Sequence, residues 1–271
     1  MSMKELFDLY SVFDGFDNFE NKGDLYENIK FNYLQNYASV ALNFKLSQKS
    51  ELALKILAKN SRKKYSINKK LGHFKATAAL KELLELGFIS FEKSKEERFF
   101  SPKGQKLKKH LRGYAIQDKI LFSSHFVRFF YYFLKPYEEL ILNAEFELVL
   151  ELIKKDFEHY QSLCFELLSK EFLQKKLDLA EISSFWHRDL ELDLYYEDVN
   201  LCFVGEVKYK NKKVCKNVLN LLKIKALNLD IKPNFYVLFS KSGFSSELLK
   251  LKESDLLLFD LNDFKELLKE E

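Results

Sequence analysis

The sequence predicts an α+β multidomain chain. A helical N-terminal segment leads to a basic module of helices and a hairpin, and the chain closes with a domain built on a central mixed sheet. Three observations predict this. Hydrophobic residues make up 47% of the 271 residues, enough for a sizeable core and too many for a disordered chain. There are only eight Gly and three Pro, which favours long helices and few elaborate loops. Helical spacing of apolar residues dominates up to about residue 174, and strand alternation and short apolar runs follow it.

Charge divides the chain differently. Residues 45–113 hold 19 Lys/Arg against 6 Asp/Glu, whereas the whole chain has 44 against 40. A basic block on an otherwise acidic chain points to one segment that meets a polyanion, the plain alternative being a solvated lysine-rich surface. The longest apolar cluster, residues 126–134, is interrupted by Arg128 and falls far short of the roughly 20 residues that cross a bilayer, so no membrane association is expected. The N-terminus, MSMKELFDLY, lacks an apolar signal region. Cys164, Cys202 and Cys215 have neither disulfide-framework nor zinc spacing, so the cytoplasm is the expected compartment.

Residues 1–47 are read as the helical segment. The Asn/Gly-rich stretch 14–23 is a loop, and Leu25, Ile29, Tyr33, Tyr37 and Val40 keep helical spacing over one helix from Asp24 to about Phe44.

Residues 48–113 form the basic module. Helices are expected over 51–59, 65–71 and 74–86, with Gly72 as the break and Gly87 as the C′ residue of the third. Strands are expected at 88–93 and 98–101 around a charged tip. Three helices followed by a hairpin are the grammar of a winged helix-turn-helix. That module binds duplex DNA, with the third helix in the major groove. The expected phosphate contacts are Arg62, Lys63, Lys64, Lys69, Lys70, Lys75 and Lys81 on the helices, and Lys93, Lys95 and Arg98 on the wing. No Arg or Asn pair suited to base readout lies on the third helix, so little sequence preference follows.

Residues 114–145 are read as a connecting aromatic-rich helix ending at Pro136. Its Phe129, Phe130, Tyr131 and Tyr132 are core residues in preference to base-stacking ones.

Residues 146–271 carry the mixed-sheet domain. A helix over 146–174 precedes strands at 182–186, 190–196 and 201–210. A helix at 214–229, a strand at 235–240, a helix at 245–251, a strand at 256–261 and a last helix at 262–269 follow. Alternation places Glu191 and Asp193 on one face of their strand and Leu190, Leu192 and Leu194 on the other. On the next strand Glu206 and Lys208 share a face. If the two strands pair, Asp193 and Glu206 converge with Lys208 beside them. Mg²⁺ or Mn²⁺ takes such carboxylates, and an adjacent ammonium orients water and stabilises phosphate charge. That is equipment for cutting a phosphodiester.

The pattern resembles the PD-(D/E)XK nuclease superfamily, through Asp193, the run Glu206-Val207-Lys208, and Glu166 in the helix phrase CFELLSKEFL. Leu192 stands where that superfamily has Pro. More narrowly, residues 120–230 resemble the C-terminal domain of archaeal-type P-loop ATPases, in the phrases FVRFFYYFLKP, DFEHYQSLCFELL, FWHRDLELDLYY and GEVKY. There a winged helix precedes the nuclease-like domain, so the resemblance covers about 180 of the 271 residues. It implies a restriction-endonuclease-like fold, with Asp193, Glu206, Lys208 and Glu166 as catalytic residues and Asp193, Glu206 and Glu166 as metal ligands. No G-x-x-x-x-G-K-[ST] loop occurs in the chain, so no ATP site is expected.

Three functions follow as alternatives. The first is a metal-dependent deoxyribonuclease. The second is a DNA-binding module whose acids form a buried ion-pair network. The third is a regulatory partner of a separate ATPase chain. The oligomeric state stays open, as do the plainer roles of Glu191 as an exposed residue and His187 as a packing residue.

Overall fold

The computed structural model describes residues 1–59, 62–96, 104–106, 115–188, 190–251 and 253–268. The chain divides into two compact units. The first comprises residues 1–93 and 117–160, the second residues 94–116 and 161–271.

The first unit opens with α1 (Met3–Phe13), which the sequence reading left without an element. Its start is fixed by a capping box, in which Ser2 accepts from the Glu5 N–H and Glu5 accepts from the Ser2 N–H. The expected helix from Asp24 to Phe44 is broken into pieces. Asp24 caps α2 (Leu25–Ile29), a π-helical turn spans Lys30–Leu34, and α3 (Tyr37–Ala41) restarts after Asn36. Buried asparagines explain part of this. The Asn32 amide donates to the Asn28 and Glu20 carbonyls while its carbonyl accepts from the Glu20 N–H, tying the preceding loop to this segment.

The basic helices follow as α4 (Gln48–Lys59), α5 (Lys64–Leu71) and α6 (His73–Glu85). Gly72 and Gly87 take positive φ, 76° and 73°, which ends α5 and α6 where glycine was expected to end them. The apolar faces meet in a small core of Ala53, Leu54, Leu57, Ile67, Ala76, Ala79, Leu80 and Leu83, all buried.

The strand expected after Gly87 is present as β1 (Ile89–Glu92). The expected second wing strand, 98–101, lies outside the described residues. Antiparallel to β1 runs β2 (Lys119–Phe122), paired from Ile89↔Phe122 to Glu92↔Lys119. This corrects the reading of 114–145 as one connecting helix. The apolar pair Ile120–Leu121 satisfies strand as well as helix periodicity, and the ladder with β1 decides between them.

Next come α7 (His125–Phe129), a π turn at Phe130–Leu134, a 3₁₀ turn at Lys135–Tyr137 holding Pro136, and α8 (Glu138–Leu142). Phe129, Phe130, Tyr131 and Tyr132 are at most 2% exposed, so they are core residues and closed to bases. Phe130 stacks on Phe44 with centroids 4.1 Å apart, and Phe126 lies 5.0 Å from Phe16. The long helix α9 (Phe146–Leu177) begins in the first unit and ends in the second.

In the second unit five strands form one sheet in sequence order: β3 (Ser183–His187), β4 (Leu190–Glu197), β5 (Cys202–Lys208), β6 (Phe235–Ser240) and β7 (Leu256–Asp260). The first three are antiparallel, and β5, β6 and β7 are parallel, so the sheet is mixed. The crossovers carry α10 (Lys216–Asn228) and the short α11 (Ser246–Leu249), and a 3₁₀ turn at Asp263–Leu268 replaces the expected last helix.

Neighbouring residues of β6 show that both faces are covered. Phe239 meets Phe172 of α9, whereas Leu238 joins Leu192, Val204, Leu222 and Ala226 in a cluster built on α10. Alternation on β4 holds only as far as Leu194. Leu192, Leu194 and Tyr195 are all buried, because the register against β3 slips between Leu192↔Phe185 and Tyr195↔Ser183. A β-bulge therefore sits beside Asp193 and re-aims the strand there.

Candidate functional site

The strand pairing on which the acid cluster depends is present. β4 and β5 pair antiparallel, and the ladder stops at Leu194↔Gly205. One residue further on, a side chain takes over from the backbone, and Asp193 Oδ2 accepts the Val207 N–H at 2.8 Å. Asp193 is thus fixed at the point where the two strands part.

Glu206, buried in the middle of the sheet, holds two ammonium groups. Its Oε1 accepts from Lys208 at 2.5 Å and its Oε2 from Lys225 of α10 at 2.7 Å. Glu166 on α9 is bound by Lys170 at 3.4 Å and accepts from the Ser184 hydroxyl at 3.3 Å. Lys170 in turn donates to Ser184 at 2.7 Å.

The electrostatics tie the four expected residues together. Burial first, then the carboxylates of Glu206 and Glu166, raise the Asp193 carboxyl to about 7 against the opposing pull of Lys208 and the Val207 N–H. Burial works against the charge on Lys208, but Glu206, Asp193 and Glu166 outweigh it and the ammonium is held more firmly than usual.

A stability consequence follows. Asp193 is protonated more readily folded than unfolded, so its contribution is most favourable below its ordinary value of 3.8 and fades as pH rises through about 7. Asp193→Asn keeps an acceptor for Val207 and removes the repulsion. Its melting temperature is expected to exceed the wild type's at pH 8 and to match it at pH 4. A thermal melt at the two pH values checks this. Glu206→Gln is expected to act in the opposite sense, because it leaves Lys208 and Lys225 without their anion.

Lys225, Lys170 and Ser184 were not read as site residues. Lys225 and Lys170 carry no motif, and only the packing of α10 and α9 on the sheet brings them to the acids. His187 on β3 contacts the buried Glu96 at 2.9 Å.

Among the described residues, no group of three or more His, Cys, Asp and Glu side chains is placed to hold a metal ion together. Two carboxylates do fit the chemistry of Mg²⁺, which is commonly held by one or two of them, with water and substrate phosphate completing the shell. Asp193 and Glu206 are the two carboxylates that the β4–β5 pairing brings into the cluster, while Glu166 is held by Lys170.

The nucleic-acid candidates belong to another part of the chain. Lys69, Lys70, Lys75, Lys81, Lys93 and Lys95 are exposed, and Lys63 and Lys64 are half-buried. Lys81 lies 3.6 Å from Glu85, and Lys69 sits over the Tyr65 ring. Arg62 is buried at 7% exposure, so it is corrected from a surface contact to an interior residue. Arg98 lies outside the described residues. No helix among the described residues is long and apolar enough to cross a membrane.

Comparison with known proteins adds kinship without chemistry. A protein of Methanocaldococcus jannaschii, described as uncharacterized protein MJECL04, is 31% identical over 208 residues, which is 71% of this chain. The chain spans 42% of that relative's length. No solved structure matches at a significant level. Residues 130–218, which run from the aromatic segment through β3, β4 and β5 into α10, match DUF234, a family described as archaeal and bacterial proteins of unknown function.

Proposed function

We propose that this chain binds duplex DNA through its basic helices and hydrolyses phosphodiesters at the Asp193–Glu206–Lys208 cluster. One observation carries the reading. Three residues picked from a short sequence pattern, with Glu166 from a distant helix, interact electrostatically at the point where β4 and β5 part. Mg²⁺ or Mn²⁺ bound by Asp193 and Glu206 would supply Lewis acidity toward a phosphoryl oxygen and a more acidic water. The protein's own part is to hold the two carboxylates at fixed spacing through the Val207 N–H and the sheet. Lys208 then presents an ammonium to the water and to the charge that develops on phosphate.

The test is a cleavage assay on supercoiled, linear, single-stranded and branched DNA with Mg²⁺ or Mn²⁺. It is paired with melting curves with and without the ion, which should stabilise the fold by binding it. Absence of both cleavage and metal-linked stabilisation defeats the proposal.

A second reading has its own support. Glu206 and Glu166 already have ammonium partners in Lys208, Lys225 and Lys170, as a closed ion-pair network would. In that case the unit is a platform, in a DNA-binding module or in the partner of a separate ATPase, and the same two measurements are negative.

The DNA-binding half makes its own prediction. Affinity for duplex DNA should fall steeply with salt, because each phosphate neutralised adds about 0.9 to the slope of log K against log salt. Replacing Lys69, Lys70 and Lys75 by Glu should weaken all sequences alike and reduce that slope by about three. A salt series in fluorescence anisotropy reads both, and a flat series removes the DNA role.

A further inference from the structure

We infer that the outer face of α6 reads thymine in the major groove by apolar contact, so that the chain prefers duplex DNA with 5-methyl groups at the contacted steps. The inference rests on the proposed duplex binding and adds a sequence preference to it. One side of α6 is buried through Ala76, Ala79, Leu80 and Leu83. The other presents Phe74, Thr77, Ala78 and Lys81, spaced i, i+3, i+4 and i+7 and so on one face, and all four are exposed.

The leading part of that face is apolar. Phe74 is 88% exposed, with the His73 ring edge-on to it at 5.6 Å. The Thr77 hydroxyl donates to the His73 carbonyl at 2.8 Å, which spends its proton on the helix and leaves its methyl as the group to offer. Ala78 offers a methyl alone. Phe, Thr and Ala are the side chains suited to the C5-methyl of thymine, which stands in the major groove. The helix holds no Arg, Asn or Gln for paired hydrogen bonds to guanine or adenine, so apolar readout takes the place of polar readout.

Charge selects the occupant. Lys75 and Lys81 on α6 and Lys69 and Lys70 on α5 are all exposed. A protein packed on Phe74 would have to pair or bury these ammonium groups. A duplex seats them on its phosphates while its groove brings methyl groups to the ring.

Fluorescence anisotropy on the full chain tests this with two short duplexes of alternating A and T, one carrying deoxyuridine for thymidine, a change that removes only the methyl. The wild type should bind the thymine duplex more tightly, by about fourfold for each methyl contacted. A G·C duplex should gain in the same sense when its cytosines carry a 5-methyl group, which occupies the same groove. Phe74→Ala should lose most of the difference at an unchanged salt slope, because no phosphate contact is removed. Phe74→Leu should keep part of it. Equal binding of the thymine and uracil duplexes, with steep salt dependence, overturns the inference and leaves DNA binding standing. Absence of salt-dependent binding to either duplex defeats both. If Phe74→Ala keeps the full difference, or weakens both duplexes equally, α6 does not read the methyl and the assignment falls.

Discussion

Lys208→Ala is expected to slow DNA cleavage about 100- to 1000-fold, the usual loss when one fixed donor to developing charge is removed. It should leave the stabilisation by Mn²⁺ in place. An ammonium cannot ligate a cation, so its removal spares the Asp193–Glu206 pair. The fold should tolerate the change, because Glu206 keeps Lys225 on its other oxygen. Asp193→Asn and Glu206→Gln should lose cleavage and metal-linked stabilisation together, since each removes a carboxylate. The split between the two phenotypes is the diagnostic result, read by a plasmid-nicking assay beside melting curves with and without Mn²⁺. If Lys208→Ala cuts DNA as fast as the wild type, the chemistry lies elsewhere. If it abolishes the metal effect, Lys208 is part of the scaffold of the carboxylate pair.

Gly205→Ala should destabilise the sheet through a single added carbon. A Cβ at this position would stand 2.8 Å from Leu194 Cδ1 and 2.9 Å from the backbone oxygen of Val237. Leu194 could rotate away only within a filled core. The Val237 carbonyl belongs to β6, paired directly with Gly205, and cannot yield without opening the ladder. Such overpacking costs about 1–3 kcal/mol. Gly205 precedes Glu206 and lies opposite Leu194, the neighbour of Asp193, so pushing β4 off β5 also spreads the carboxylates. Gly205→Ala is therefore expected to weaken Mn²⁺ binding although it touches neither ligand. Urea unfolding and a Mn²⁺ titration on one preparation measure both effects. Unchanged stability would mean that the two strands are not packed as tightly as Gly205 requires.

Much of this fold is local and was readable for that reason. Apolar spacing marked α4, α5 and α6, and the positive φ of Gly72 and Gly87 ended two of them where glycine permits it. Short β-branched and aromatic runs marked β5 and β6, and 235–240 was located to the residue. Errors came where two periodicities fit one stretch. The pair Ile120–Leu121 reads as helix until β1 is present to take its hydrogen bonds. The Asp24–Phe44 segment reads as one helix until buried Asn32 ties it to Glu20.

The site divides along the same line. The sequence by itself determined which acids and which lysine stand on adjacent strands, because acid-x-Lys on a strand places both side chains on one face wherever the strand lies. It also located the basic block at 45–113, since the charged residues of a segment are read directly from the sequence. The tertiary structure decided the rest. A bulge beside Asp193, invisible to a period-two pattern, turns its carboxylate to the Val207 N–H. Helix packing carries Lys225 across 19 residues to Glu206, and Lys170 to Glu166 and Ser184. Burial sets the protonation of Asp193 near neutrality. A single strand or helix specifies its own faces but not its neighbour's distance, and charge coupling depends on distance.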